Sequence, residues 1–268
     1  MKKYLIVSLF LVLFAQGVNL GALEEHVGVG SIQWETMQFQ TTGYGAGISA
    51  EGTLMAVRKN AQKHAEEDAL KNAMSSLSLV QVDAQKNVGQ LIQEDESLKA
   101  EVERHVREFQ VKDLVHYSDG AVKVSVSFSI LKLLPHILHR EPDGEPLRAV
   151  PKGGSEKYSG LLVVAAGLPF APLLSPRIIA EDGSLVYSSE FLSGAVLGRL
   201  APVAYFDGLE EAKRAERFGK TPLVVRAIRL EGRDALVIPS NEVRDLLEGK
   251  LRGNFLEEAR VGIVLSSS

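Results

Sequence analysis

Three glycines are the first residues of this sequence whose spacing could serve ligand binding. Gly43, Gly45 and Gly47 stand in FQTTGYGAGISAEGT, between a strand-like segment and a helix-like segment. A glycine-rich turn before a helix can bind phosphate, because the backbone N–H groups approach the ligand closely. The dinucleotide fingerprint G-x-G-x-x-G fails here, since its third glycine would have to stand at Ile48. We therefore predict that the glycines form a bend that joins a strand to a helix.

A second glycine motif resembles the end of a P-loop but lacks its context. Gly219, Lys220 and Thr221 would need another glycine at Arg214, and the segment follows a helix and precedes a strand, which is the reverse order. Pro222 also prevents a regular helix from beginning at the Lys-Thr pair. We interpret the motif as a helix stop.

Candidate nucleophiles and acid–base couples occur as adjacent pairs: Ser159-Gly160, Ser193-Gly194, Glu66-Glu67 and Glu257-Glu258. The serine pairs lack the first glycine of the G-x-S-x-G nucleophile elbow, and the chain has no cysteine. The glutamate pairs stand in charged helical or strand-end segments. Because catalytic residues can be far apart in sequence, a hydrolase stays an alternative, but we predict no catalytic residue and no enzyme.

Metal binding is the remaining chemistry that side chains in this sequence could support, at His64, Asp68, His105, His116, His136 and His139. His64 and Asp68 are spaced i, i+4 on a predicted helix and could chelate a metal ion together. A zinc site needs three or four ligands, and the spacing brings no further ligand to this pair. We predict a solvated polar face there, histidines that merely flank a linker at 136 and 139, and neither a metal nor a cofactor.

The N-terminus has the pattern of an export signal. It begins MKKYLIVSLFLVLFAQGVNLGA, with two lysines, an apolar run from Leu5 to Ala15 and a candidate cleavage site after Ala22. The apolar run is about half of the roughly 20 residues that a spanning helix needs. We expect residues 1–22 to be removed and the mature chain to be periplasmic, with a retained anchor as the alternative.

Composition limits the classes of partner. Hydrophobic residues at 45% and charged residues at 24% are globular values. A net charge of −4 and a pI of about 5.9 give no basic footprint for nucleic acid. Because the chain has no cysteine, neither a disulfide nor a lipobox acylation is available.

A segment rich in proline and glycine divides the chain. Residues 135–157 read PHILHREPDGEPLRAVPKGGSEK, which favours neither a continuous helix nor a central strand. We predict an extended linker there, between domains at 27–134 and 158–265.

The first domain is predicted to be a small α+β fold. Residues 31–39 alternate as a strand pair or as one long bent strand, and SDG at 118–120 indicates a hairpin. A four-residue period predicts a helix whose alanines let it lie close to whatever it covers, with a stripe of Val57, Ala61, Ala65, Ala69, Ala73 and Leu77. With a second helix at about 95–109, we expect a mostly antiparallel sheet covered by two helices on one face.

The second domain is predicted to be a mixed α/β sheet domain. Strand patterns occur in GLLVVAAG, TPLVVRAIRL, RDALVIPS and EEARVGIVL, and a hairpin is indicated at Asp182-Gly183. Two helices follow cap-like residues, Asp207 for the first and Ser240 or Asn241 for the second.

Three segments together resemble a family of bacterial envelope proteins: SIQWETMQFQTTGYG, AVRKNAQKHAEEDALKNAMSSL and DGAVKVSVSFSIL. The family is typified by a twenty-kilodalton surface lipoprotein, the flagellar protein FlgP and the N-terminal part of FlgT. Its members share a strand rich in Trp and Gly, a helix written A-x3-A-x3-A and a hairpin with alternating valines. The second half of the chain is similar to the extension of longer relatives. The resemblance implies an envelope scaffold or assembly protein, in some relatives a part of the flagellar basal body.

These patterns lead to one functional hypothesis and one alternative. We expect an exported scaffold that binds other envelope proteins or a second copy of itself, and that associates with a membrane at most peripherally. The alternative is a periplasmic binding module for a small ligand or an envelope polymer, with its site between the domains.

The first testable prediction concerns processing. If residues 1–22 are an export signal, the mature protein begins at Leu23 and is recovered in soluble form. Mass spectrometry of the intact protein from its native host checks this. A mass that retains residues 1–22, in a membrane fraction, would contradict it.

Overall fold

The computed structural model describes residues 23–47, 53–139, 144–149, 157–248 and 254–266. The predicted export signal, residues 1–22, lies outside the described residues. The α+β class predicted for both parts of the chain is confirmed. Among the described helices, none has the length and apolar character needed to cross a membrane.

The N-terminal unit, residues 24–138, is built on a five-stranded antiparallel sheet in the order β1-β2-β3-β5-β4. Its strands are β1 (Glu24–Val27), β2 (Gly30–Gln33), β3 (Gln38–Gly45), β4 (Gln110–His116) and β5 (Val122–Ser129). Of the two interpretations of residues 31–39, the strand pair is confirmed, since Ile32 pairs with Phe39 across a turn. The predicted hairpin is the β4–β5 connection.

Three helices follow β3, namely α1 (Leu54–Leu77), α2 (Val88–Glu94) and α3 (Glu96–Val106). The alanine stripe is confirmed: Ala61, Ala65 and Ala69 are buried against the inward-facing valines of β5. Thr53 begins α1 by accepting the N–H of Ala56. The stripe therefore turns α1 toward the sheet along most of its length.

The structure corrects the prediction for two of the three glycines. Gly43 and Gly45 lie inside β3 rather than in a bend. A Cβ atom at Gly43 would overlap the backbone of Ala65, and one at Gly45 would overlap the carbonyl of Ala61. Glycine is needed here because the backbones of β3 and α1 are in direct contact.

The predicted extended linker is wrong for its first residues. After β5 the chain forms a 3-10 turn (Leu131–Leu133) and then α4 (Leu134–Ile137), whose apolar side chains are buried. Pro135 stands in the first turn of α4. A backbone N–H there has no acceptor within the helix, so the N–H that proline lacks is not missed. The proline that suggested a break therefore begins a helix.

The C-terminal unit, residues 158–265, contains two four-stranded sheets in the orders β10-β6-β13-β9 and β11-β12-β7-β8. The first sheet is parallel and the second is mixed. The strands are β6 (Gly160–Val164), β7 (Arg177–Ala180), β8 (Leu185–Tyr187), β9 (Ala204–Phe206), β10 (Pro222–Arg226), β11 (Arg229–Glu231), β12 (Ala235–Ile238) and β13 (Val261–Val264).

The helices of this unit are α5 (Gly194–Leu197), α6 (Leu209–Arg214) and α7 (Ser240–Leu247). Both predicted caps are wrong. Gly208 is the N-cap of α6, and Asp207 lies in the bend between β9 and that cap. Pro239 precedes α7 without a side-chain cap, and the Ser240 N–H donates to Glu181 Oε2 at 3.2 Å.

The two units share one hydrophobic core. Trp34, the only tryptophan of the chain, is buried in an edge-to-face contact with Tyr205, with 5.2 Å between ring centroids. Backbone hydrogen bonds cross the same boundary, from Leu174 N–H to Gln81 O and from Ser175 N–H to Val82 O. The C-terminal unit is thus packed onto the N-terminal one by side chains and by backbone.

The second prediction tests the close contact of α1 with the sheet. Replacing Ala65 with Leu inserts a large side chain where two backbones touch, and should reduce the free energy of unfolding by about 1–3 kcal/mol. Urea denaturation measures the change. Ala100→Leu, at an exposed position of α3, is the matched control and should be nearly neutral. Equal stability of the two variants would contradict the close packing of α1 against the sheet.

Candidate functional site

The glycines offer no space for a phosphate group. Gly43 and Gly45 are covered by the backbone of α1, and a Cβ at Gly47 would meet the backbone of the hairpin turn at Asp119 and Gly120. The backbones of α1 and of the hairpin turn occupy the space beside these glycines that a nucleotide phosphate would need. These glycines therefore serve packing.

His64 and Asp68 are the candidate chelating pair, but the Asp68 side chain has a structural role instead. Its carboxylate accepts the N–H of Tyr44 at 2.9 Å, and the adjacent Asn72 donates to the Thr42 carbonyl at 2.9 Å. Both bonds satisfy β3 where it extends beyond its partner β2. His64 lies one turn earlier and is exposed.

The other histidines do not converge. His105 is buried and its Nε2 lies 2.6 Å from the Ser129 carbonyl, which ties α3 to β5. His136 Nε2 lies 3.7 Å from Glu101 Oε1. His116 and His139 are exposed. Among the described residues, no three groups of His, Cys, Asp or Glu lie close enough to hold a metal ion, and the expected absence of a metal stays a prediction.

The P-loop-like motif and the serine pairs support local structure. Gly219 has φ +67° and ends a 3-10 turn, as the helix-stop interpretation required. Ser159 Oγ donates to the Phe218 carbonyl at 2.6 Å and accepts the Thr221 N–H at 2.9 Å. Ser193 caps α5 by accepting the N–H of Val196.

Exposed apolar side chains stand at the end of the N-terminal unit that carries the β4–β5 hairpin turn and the start of α1. We call this group the tip patch and define it by Tyr44, Leu54, Met55, Val115 and Tyr117, which are 38% to 81% exposed. The rings of Tyr44 and Tyr117 are 6.3 Å apart. Tyr44 and Val115 both pair with Lys123 in the sheet register, so the three side chains lie side by side on the face away from α1. A Cβ atom at Gly120 would lie 3.1 Å from Val57 Cγ1 and 3.9 Å from Leu54 Cδ1, so the start of α1 lies at the hairpin turn, on the other face of the sheet from Tyr44 and Val115.

The neighbouring edge of the sheet is partly closed. β4 is an edge strand, but its register shifts between Val111 and Asp113. The Asp113 carboxylate accepts the N–H of the next residue, Leu114, at 2.9 Å. A bulge and a charged side chain that takes up a backbone N–H of its own strand both oppose the pairing of a foreign strand. Side chains, rather than backbone groups, are therefore what this end of the protein offers to a partner.

A cleft of about 590 Å³ lies in the C-terminal unit, lined by Val196, Arg199, Leu200, Glu216, Arg217, Glu258 and Arg260. Arg217 lines the cleft, and backbone carbonyls hold its guanidinium: Nε donates to the Ala259 carbonyl at 2.6 Å, and Nη2 donates to the carbonyls of Ala201 and Pro202. Desolvation lowers the pKa of Arg217 to about 10. The group stays charged at neutral pH.

Two tyrosines of this unit are fully buried, and one of them, Tyr187, shares the Pro202 carbonyl with Arg217. The Tyr187 hydroxyl donates to the Pro202 carbonyl at 2.6 Å, and the Tyr205 hydroxyl donates to the Leu173 carbonyl at 2.7 Å. Burial raises the pKa of both phenols well above the ordinary value. Sequence reasoning missed both the cleft and the tip patch, because each combines residues that are distant in the chain.

Comparison with known proteins identifies one similarity. Residues 160–267 match the family described as Treponema pallidum Tp0624, second domain. The match covers the C-terminal unit, which is less than half of the 268 residues. No curated protein matches the chain. The resemblance of the N-terminal unit to the twenty-kilodalton lipoprotein, FlgP and FlgT stays a prediction.

The third prediction concerns alkaline pH. Tyr187 and Tyr205 have a higher pKa in the folded state than in the unfolded chain, so their protonated phenols contribute their full stabilisation below pH 10. Above pH 10 the unfolded chain releases these protons first, and the free energy of unfolding falls as the pH rises. Arg217 acts in the opposite direction, since its lowered pKa favours the folded state above pH 10. Each group contributes about 1.4 kcal/mol per pH unit, so two phenols against one guanidinium leave a net loss of about 1.4 kcal/mol per unit above pH 10.

Urea denaturation from pH 8 to 11.5, followed by phenolate absorbance, measures this slope. Tyr187→Phe removes one buried phenol and should bring the slope close to zero. The control Tyr117→Phe, at an exposed position, should leave it unchanged. Phenolate absorbance that is complete before unfolding would contradict the burial of the two rings.

Proposed function

We propose that this protein is an exported scaffold or assembly protein of the bacterial cell envelope, which binds a protein partner through the tip patch. The observation that carries the proposal is the gathering of five large apolar side chains, exposed by 38% to 81%, at one end of the N-terminal unit. Apolar patches of this kind on soluble proteins are typical of protein-binding surfaces.

The composition of the tip patch favours a protein partner. Tyrosine and methionine are enriched at protein interfaces, where the rings supply large rigid contacts and the thioether adapts its shape. Lys123 lies between Tyr44 and Val115 in the sheet register. A complementary surface would therefore present apolar side chains around one carboxylate.

The sequence supports the cellular setting of the proposal. The N-terminal segment has the pattern of an export signal, and the N-terminal unit resembles envelope proteins that act by assembly. The partner class is then another envelope protein or a second copy of this chain. The proposed role requires no catalytic step.

The structure also restricts how such a partner binds. Addition of a strand to β4 is opposed by the bulge after Val111 and by the hydrogen bond of Asp113 to Leu114. The partner is therefore expected to pack against side chains of the tip patch, in the manner of an interface with a few dominant contacts.

The fourth prediction tests the patch with matched variants. Met55→Glu places a charge on its most exposed member and should weaken partner binding at least tenfold, as loss of a dominant interface contact does. Ile228→Glu alters an exposed apolar residue of the C-terminal unit, 47% exposed, and is the control. Both positions are exposed, so neither change should reduce stability appreciably.

The readout combines cross-linking with function in the native host. A photoreactive residue at position 55 should give a discrete cross-link to an envelope protein or to a second copy, and the same residue at 228 should not. Met55→Glu should reproduce the envelope or motility defect of a gene deletion, whereas Ile228→Glu should complement it. The proposal fails if Met55→Glu complements fully and position 55 gives no cross-link.

A further inference from the structure

We propose that the cleft of the C-terminal unit binds a small organic monocarboxylate, with Arg217 as the residue that holds the carboxylate. This site is separate from the tip patch and does not depend on the proposed function. It rests on the geometry of one guanidinium, on the charges around it and on the shape of the cleft.

The Arg217 side chain is fixed in place before any ligand arrives. Three carbonyls, those of Ala201, Pro202 and Ala259, take the protons of Nε and Nη2. Within the described part of the chain, Nη1 donates to no acceptor, and Arg217 lines the cleft. With Nε and Nη2 held by these carbonyls, Nη1 is the nitrogen left to donate to a ligand, and a charged N–H donor fixed in direction suits a carboxylate oxygen.

The positive charge of Arg217 is not balanced by an acidic side chain among the described residues. Glu258 instead forms an ion pair with Arg260, with 2.8 Å between Oε2 and Nη2. Burial disfavours the charged guanidinium, as its lowered pKa shows. A buried charge without a counter-ion costs free energy, so an anion that enters the cleft gains an attraction that the chain itself does not supply.

The remaining lining residues restrict the class of anion. Three arginines and two glutamates line the cleft, so their formal charges leave one net positive charge, which a singly charged anion balances and a doubly charged group such as phosphate exceeds. Val196 and Leu200 provide an apolar surface beside Arg217. These features together favour a single carboxylate attached to a short aliphatic chain, and a cleft of about 590 Å³ accommodates such a ligand.

The fifth prediction uses sodium butyrate as the probe, with the full mature protein at pH 7 and constant ionic strength. Nuclear magnetic resonance titration should show saturable shifts at Val196, Leu200 and Arg217. Butylammonium has the same apolar chain and the opposite charge, and should bind at least tenfold more weakly. Inorganic phosphate should also bind at least tenfold more weakly than butyrate.

Two variants assign the binding to the cleft. Arg217→Lys keeps the charge but loses the carbonyl contacts that fix the guanidinium and its Nη1 donor, and should weaken butyrate binding at least tenfold. If that variant fails to fold, Leu200→Glu decides, because Leu200 is exposed at the cleft and makes none of the carbonyl contacts. Leu200→Glu should weaken binding at least fivefold, and the control Ile228→Glu should not.

The proposal is overturned if butyrate gives no saturable shift in the unmodified protein. It is equally overturned if butylammonium or phosphate binds as well as butyrate, or if Leu200→Glu binds butyrate like the control. Since Met55→Glu lies in the other unit, it should leave butyrate binding unchanged. Failure of one proposal is therefore distinguishable from failure of the other.

Discussion

The direct contact between the backbones of β3 and α1 is the constraint on which the N-terminal unit depends. Without side chains at Gly43 and Gly45, and with only methyl groups at Ala61 and Ala65, a helix of 24 residues lies against the strand along its length. Its first turn then reaches the hairpin turn of the sheet, and its last turn enters the core shared with the C-terminal unit. The tip patch and the boundary between the units are thus positioned by the same contact.

The shared hydrophobic core packs the two α+β units directly against each other. Trp34 supplies the aromatic contact to Tyr205, and the Tyr205 hydroxyl in turn bonds to both backbone groups of Leu173. The next residues, Leu174 and Ser175, bond back to the N-terminal unit. The Trp34–Tyr205 contact therefore fixes Leu173, and Leu173 is followed directly by the two residues whose backbone N–H groups bond to the N-terminal unit. A polar site between the units, as the alternative hypothesis expected, would have to replace this packed aromatic contact.

Periodic features of the fold could be predicted from the sequence, and contacts at close range could not. The alanine period and the hairpin signal found α1 and the β4–β5 pair, because both are local. The spacing of Gly43 and Gly45 looked like a loop, since sequence does not show that a helix backbone covers a strand. Pro135 suggested a linker because proline breaks a helix interior yet begins a helix equally well. Arg217 belongs to none of the motifs in the sequence, and the one local signal that this turn faces inward is its apolar neighbour Phe218, which the structure buries.

The tip patch and the closed edge beside it are better understood together than apart. An apolar surface next to an open strand edge would attract other chains without selection, since backbone pairing accepts almost any sequence. Here the bulge after Val111 and the carboxylate of Asp113 oppose that pairing. The apolar side chains remain exposed, with Lys123 among them. Only a partner whose side chains match that arrangement gains by binding, so the hairpin combines a site for selective contact with protection against aggregation.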